Sequence, residues 1–268
     1  MHTAPKILYK YRSLSREGKC YKRTRDIFLK DELYFPHPDQ INDPFDCKVP
    51  PTFFENISKK EILSCLNNKL PRFAPDLDLE TIEMLKNVVR SGDVKIICQE
   101  IKNKFKEGKY RNVGVLSFSE KNLDIRMWSH YSDSHQGICI GFDCTKMYFH
   151  FNGANLSGKK VRYPRDNGYP RWNHFTGDYS ANNDKIYFTK SLDWKYEQEW
   201  RIILPEKGRT SQKFIPDALV SVHLGCQILE EHRKDVINWC LRREHKPKIY
   251  ETKKDESSYT LKENEIIY

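Results

Sequence analysis

The chain has 268 residues, enough for one large domain or two small ones, with 38% hydrophobic and 13% aromatic residues. Its 46 Lys and Arg against 37 Asp and Glu give a formal charge of +9, and the mean hydropathy is strongly negative. No apolar run is long enough for a transmembrane helix, so no membrane partner is expected; Met1 to Ser13 has no apolar h-region, so a cytoplasmic location is expected.

Ile7 to Arg12 reads as a strand, and Asp31 to Pro36 as a shorter one stopped by two prolines. Ile41-Asn42-Asp43-Pro44-Phe45-Asp46 is turn-rich, because Asn-Asp-Pro favours turn initiation. Residues 55–108 read as a helical insertion. Ser58 with Glu61 three residues later is a capping-box pattern; Leu77, Ile82, Leu85, Val88 and Val89 recur at helical spacing, as do Ile96, Ile97, Ile101 and Phe105 within Asp93 to Lys106.

Val113 to Ser119 is a predicted strand, Asn122 to Tyr131 a short helix, and Gly137 to Asp143 a buried strand. Lys160 to Tyr163 is a further strand ended by Pro164; residues 165–180 read as loop. Asp184 to Ser191 suits helix or strand, and the run from Trp194 ends in a strand at Leu204. Ala218 to Leu224 predicts a strand, Leu229 to Arg242 a helix, and 248–268 two short strands around a polar turn. The irregular alternation predicts an α+β fold, with a central mixed or antiparallel sheet in a single domain of residues 1–268. No glycine-rich phosphate loop occurs, which argues against Rossmann and P-loop nucleotide binding.

The eight cysteines contain no Cys-x-x-Cys pair, and Cys98, Cys139 and Cys240 sit in apolar settings, as small buried hydrophobes do. His130, His135, Cys139 and Cys144 match no common zinc spacing, and no metal is expected. Basic clusters at 19–25, 158–165 and 242–248 are separated by acids, so the charge describes a basic surface before it describes an anion-binding face. The densest stretch of chemistry is 127–143, where aromatics, two histidines and hydroxyls precede the apolar run after Gly137. Polar side chains beside a buried strand are costly unless paired or used.

Leu8 to Ser13, Ile41 to Asp46, Leu116 to Glu120, Met127-Trp128-Ser129-His130-Tyr131, Gly137 to Asp143, and Lys190 with Trp194 to Arg201 resemble, in this order, the bacterial domain of unknown function 2971 family. The order of motifs is also similar to the ADP-ribosyltransferase superfamily. That resemblance implies a first strand whose Arg12 holds NAD, a middle strand whose Ser117 and Ser119 line the pocket, and a late strand carrying catalytic Glu199 with Glu197. It departs from the superfamily in lacking His-Gly-Thr in the first motif and the threonine of Ser-Thr-Ser in the second. It implies NAD as substrate, a nucleic-acid or protein acceptor, and a role in toxin action or phage defence.

The residue types suit that chemistry. Breaking the N-glycosidic bond of NAD builds positive charge on the ribose, which a fixed carboxylate stabilises. On a strand, Glu197 and Glu199 face one side. Arg12 can hold a pyrophosphate, and Tyr11, Trp128 and Tyr131 can stack on a planar ring, although Trp128 and Tyr131, three apart, suit a core better than a cofactor box. His130 is a candidate acid or base, and Asn42, Asp43 and Asp46 are further site candidates. The rival readings are a Mg²⁺-dependent nuclease using Asp43, Asp46, Asp143, Glu197 and Glu199, with Lys195 near the phosphate, and a non-catalytic nucleic-acid or protein-binding module.

Overall fold

The computed structural model describes residues 5–49, 58–68, 79–92, 112–151, 154–172 and 179–267. In chain order the elements begin with β1 (Ile7–Arg12), α1 (Cys20–Lys30), β2 (Glu32–Phe35), α2 (Lys59–Asn68) and α3 (Leu79–Ser91). They continue with β3 (Gly114–Ser119), α4 (Ile125–Tyr131), β4 (Ile138–Asp143), β5 (Tyr148–Phe151), β6 (Ala154–Ser157), β7 (Lys159–Lys160) and α5 (Tyr179–Tyr187). A 3₁₀ turn at Leu192–Glu197 leads into β8 (Glu199–Leu204), followed by β9 (Thr210–Lys213), β10 (Leu219–Leu224), α6 (Glu230–Leu241), β11 (Lys248–Lys254) and β12 (Leu261–Ile266). The class is α+β with a large mixed sheet. The contacts sort into two compact units: Met1–His37 with Asn112–Val161 and Asp193–Tyr268, and Pro38–Arg111 with Arg162–Leu192.

The first unit is built on an eight-stranded sheet in the order β12, β11, β10, β4, β1, β3, β8, β7. Its pairings are antiparallel except β10 with β11, where α6 carries the chain back to start a parallel neighbour. β4 lies in the middle and is buried from Ile138 to Phe142, which explains its unbroken apolar run. Side chains alternate across the sheet. On one face Leu8, Phe118, Ile140, Phe142, Ile202 and Val222 pack with Ile27 and Phe28 of α1 and Val236 and Trp239 of α6. α6 presents that face because His232, Val236, Trp239 and Cys240 fall on one side of it, while Glu230 and Glu231 favour its N-terminal dipole. In β10 a register shift between Leu219 and Ser221 turns both Leu219 and Val222 into this core.

The other face is polar and aromatic. Register sets Glu199, Ser119, Tyr9, Gly141 and Ser221 opposite one another in a row from β8 to β10. Arg201 faces Ser117 in one pair of neighbouring strands, and Tyr11, Cys139, His223 and Tyr250 line up across four others. α4 covers part of this face, packing Met127 and Trp128 with Tyr11 and Cys139. Asp124 caps α4 by accepting from Arg126 N at 3.0 Å. The chain then reverses through Asp133, Ser134 and His135, all at positive φ (50°, 49° and 69°) without a glycine among them. Gly137 closes the turn: a Cβ there would lie 2.2 Å from Arg12 O.

In the second unit the capping box at Ser58 forms as expected, with Glu61 Oε2 accepting from Ser58 N at 2.9 Å and Ser58 Oγ accepting from Glu61 N at 3.3 Å. α3 places Ile82 and Val89 inward. Leu77, Cys98 and the predicted helix Asp93 to Lys106 lie outside the described residues. Of the stretch Asp184 to Ser191, Asp184–Tyr187 ends α5 and Thr189 forms a bridge with Arg162; the predicted strand Lys160–Tyr163 breaks at Val161, since Lys159–Lys160 pairs with β8 whereas Arg162 bridges Thr189.

Candidate functional site

Three strands carrying predicted site residues are neighbours: β1 beside β3, and β3 beside β8. On their polar face Ser119 lies opposite both Tyr9 and Glu199, and Ser117 opposite Arg201. Glu199 and Arg201 alternate correctly to share that face, and they meet. Arg201 Nε donates to Glu199 Oε1 at 2.7 Å, and the second guanidinium arm donates to Oε2 at 2.8 Å. Arg201 is 1% exposed and Glu199 4%, so this is a buried two-pronged ion pair. The acid and the base of this pair sit two residues apart on the same strand.

Glu197 does not lie on the strand with Glu199, contrary to the expected alternation. It ends the 3₁₀ turn, and Gln198 between them takes φ 44°. The carboxylate is nevertheless buried, and it accepts from the Tyr131 hydroxyl at 2.6 Å. The Glu197 carbonyl accepts from Ser119 Oγ at 2.6 Å, and Ser119 Oγ in turn accepts from Lys121 N at 3.0 Å. Ser119, Tyr131 and Glu197 are thus joined directly, with Glu199 beside Ser119 in register.

Other predicted residues are placed differently. Trp128 is fully buried, donates through Nε1 to Asn122 O at 2.7 Å and meets Tyr11 edge-on at 5.3 Å, so its ring is floor rather than stacking surface. Tyr11 is buried too, and its hydroxyl donates to Lys121 O at 2.9 Å; burial and nearby Cys139 push its pKa up. Arg12 faces the opposite side of the sheet, where Nε donates to Thr24 of α1 at 3.1 Å, so it does not join Glu199. Its neighbour Lys10 donates to Ser117 O at 2.9 Å. Burial, then the Arg12 charge, push Lys10 down to about 7, against the pull of Glu199.

His130 is exposed on α4, with its ring 6.2 Å from Tyr131, 6.4 Å from Trp194 and 6.5 Å from Tyr196. Asn42, Asp43 and Asp46 belong to the second unit. Asn42 is exposed, and Asp43 is buried and accepts from Phe45 N at 2.8 Å, a local turn bond. Asp46 lies 3.5 Å from Lys190 Nζ, both buried, which joins two of the quoted motifs within that unit.

One constellation went unseen in the sequence. Ser221 Oγ lies 3.1 Å from His223 Nε2, His223 Nδ1 lies 2.7 Å from Glu263 Oε2, and Asn122 Nδ2 donates to the same oxygen at 2.9 Å. His223 also stacks on Tyr250 at 4.8 Å. The relay ties β10 and β12 to the segment that holds the Trp128 indole. Ser221 and His223 two apart on a predicted strand were the available signal; Glu263 had none. Among the described residues, no three His, Cys, Asp or Glu side chains converge as a metal-ligand set, the four considered for zinc included. Asp143 serves as a turn cap, accepting from Thr145 N at 2.9 Å.

Residues 127–202 match the model of a protein family of unknown function, DUF2971, and over that stretch the chain is similar to it. The match runs from α4 through β8 and so takes in His130, Tyr131, Glu197, Glu199 and Arg201. No curated protein and no solved structure matches the chain. Among the described residues no helix is long and apolar enough to cross a membrane.

Proposed function

We propose that this protein is an ADP-ribosyltransferase-like enzyme that cleaves the N-glycosidic bond of NAD and passes ADP-ribose to an acceptor or to water. The observation that supports it best is the adjacency of β1, β3 and β8. The strands that carry the first, middle and late motifs in sequence are side by side, with Ser119 and Glu199 opposite each other on one face. In this reading the bond between the ribose C1′ and nicotinamide breaks, and nicotinamide leaves with the electron pair. The Glu199 carboxylate, paired with Arg201, faces the positive charge that grows on the ribose. Glu197 takes the proton of the incoming nucleophile as its new bond to C1′ forms, and Tyr131 orients that carboxylate through its hydroxyl. In this reading His130, next to Tyr131 and exposed, meets the acceptor. Arg12 has no part in it.

The test is nicotinamide release from NAD by the full chain, with and without protein or nucleic-acid acceptors. Glu197→Gln is expected to lower kcat by about a hundredfold, and Tyr131→Phe by roughly tenfold, as loss of a general base and of its orienting bond would. Both variants keep the Glu199–Arg201 pair and are checked for folding by circular dichroism. Wild-type protein that releases no nicotinamide with any acceptor, or variants with unchanged kcat, would refute the reading.

A further inference from the structure

Beyond the row of Glu199 and Ser119, the first unit carries a cleft of about 810 Å³ between α4 and the turn joining β11 to β12. One wall is Ile125, Arg126, Ser129 and His130; the other is the stretch Lys254–Leu261, with His135 and Cys226 at its base. The volume is that of a small-ligand site. Several features of the cleft do nothing visible for the fold. Tyr259 stands at the turn fully exposed, and Ile125 is 45% exposed on the facing helix. Lys254 is exposed and has no ion-pair partner among the described residues. Its charge reaches into the cleft: it adds to burial in pulling His135 down, and it opposes burial at Cys226.

The charges along the rim are of both signs, but they are not equally available. Asp255 is engaged by Lys262, and burial and the Lys262 bond aside, it also accepts from Ser257 N at 2.7 Å, leaving Glu256 as the exposed acid. Arg126 holds Asp124 at 2.8 Å and sits over Tyr196, its Cζ 4.2 Å from the ring centroid, with His130 and Trp194 around that ring. A planar aromatic group can therefore lie between Tyr259 and the Ile125–Arg126 wall, with an anion reaching Lys254. A ring joined to a phosphate is the chemistry that uses both.

We infer that this cleft binds a nucleotide unit, its base against Tyr259 and its phosphate at Lys254. The unit comes either from a single nucleic-acid strand or from a free nucleotide. The cleft shares His130 with the site proposed above, but its claim is binding alone, so it stands or falls independently of NAD cleavage.

The experiment titrates the full chain into a fluorescently labelled single-stranded oligonucleotide at low salt, and repeats the titration with AMP as competitor. Lys254→Ala and Tyr259→Ala are each expected to weaken binding by about tenfold, the size of one lost stacked base or charge contact. Both side chains are exposed, so thermal unfolding should not change. For the strand, Lys254→Ala should also shallow the salt dependence by about 0.7 in log–log slope. Displacement by AMP assigns the cleft to a nucleotide from either source; tight strand binding that AMP leaves untouched assigns it to the strand. The inference is overturned if neither probe binds, or if both variants bind as well as wild type.

Discussion

Replacing Glu199 by Gln should cost folding stability as well as any activity, because the structure places that carboxylate in a buried pair with Arg201. Two guanidinium hydrogen bonds, at 2.7 and 2.8 Å, end on its two oxygens, and Arg201 is 1% exposed. Breaking one side of a buried pair typically costs about 3–5 kcal/mol, because the remaining charge keeps its desolvation penalty without its counter-charge. Gln retains one acceptor oxygen but turns an amide N–H₂ toward the guanidinium, so the expected loss is about 3 kcal/mol. At roughly 2–4 °C per kcal/mol for a chain of this size, the melting temperature should fall by roughly 6–12 °C. Thermal unfolding followed by circular dichroism reads this directly. The double variant Glu199→Met with Arg201→Met supplies the control: it removes both charges, and should be more stable than either single variant by at least about 2 kcal/mol. Single variants within about 2 °C of wild type, or a double variant whose loss is the sum of the two, would refute the pairing as a determinant of the fold.

Three further outcomes follow from other sites. The His223 hydrogen bond holds the Glu263 carboxyl below its ordinary range, so the stability it contributes is present above about pH 4.3 and is lost as pH falls through its folded value. Melting curves from pH 3 to 7 should show Glu263→Gln less stable than wild type at pH 7, with the gap closing toward pH 3; a constant gap would count against it. Gly137→Ala puts a methyl group 2.2 Å from Arg12 O, a backbone atom that cannot move aside cheaply, and should destabilise by about 2 kcal/mol or more in urea titration. Ser58→Ala removes the capping-box hydroxyl and should cost about 1 kcal/mol, read as faster amide exchange across α2 with little change at β4.

The elements of the sheet were legible because their signals are local. β1, β3, β4 and β10 each follow from a short apolar run bounded by glycine, acid or turn residues, and the Ser58 box needs only residues three apart. Register and face were not legible. Tyr11 and Arg12 are adjacent in sequence, yet alternation sends one to the α4 side and the other to α1, and only the pairing of Arg12 with Ile138 shows which is which. The Glu197–Glu199 spacing suggested two acids on one strand; a positive φ at Gln198, a residue with no special preference for it, removes Glu197 from the strand. Trp128 read as core more readily than as ligand wall, and its burial agrees with the core reading. Glu263 joins His223 across β11, a contact between residues 40 apart that no spacing rule reaches.

The position of β1 has a consequence for how the chain is made. Its two hydrogen-bonding edges are closed by β3 and β4, both of which lie roughly a hundred residues further along. At about 5–20 residues/s of synthesis, β1 waits on the order of 5–20 s after it is made before either neighbour exists. Throughout that interval the segment that holds Leu8 and Tyr11 lacks both of its native partners, and an extended segment with open edges is the form of backbone most prone to pair with the wrong chain. The charges beside them, Lys6, Lys10 and Arg12, lie where they would keep such early strands apart by repulsion until β3 and β4 arrive.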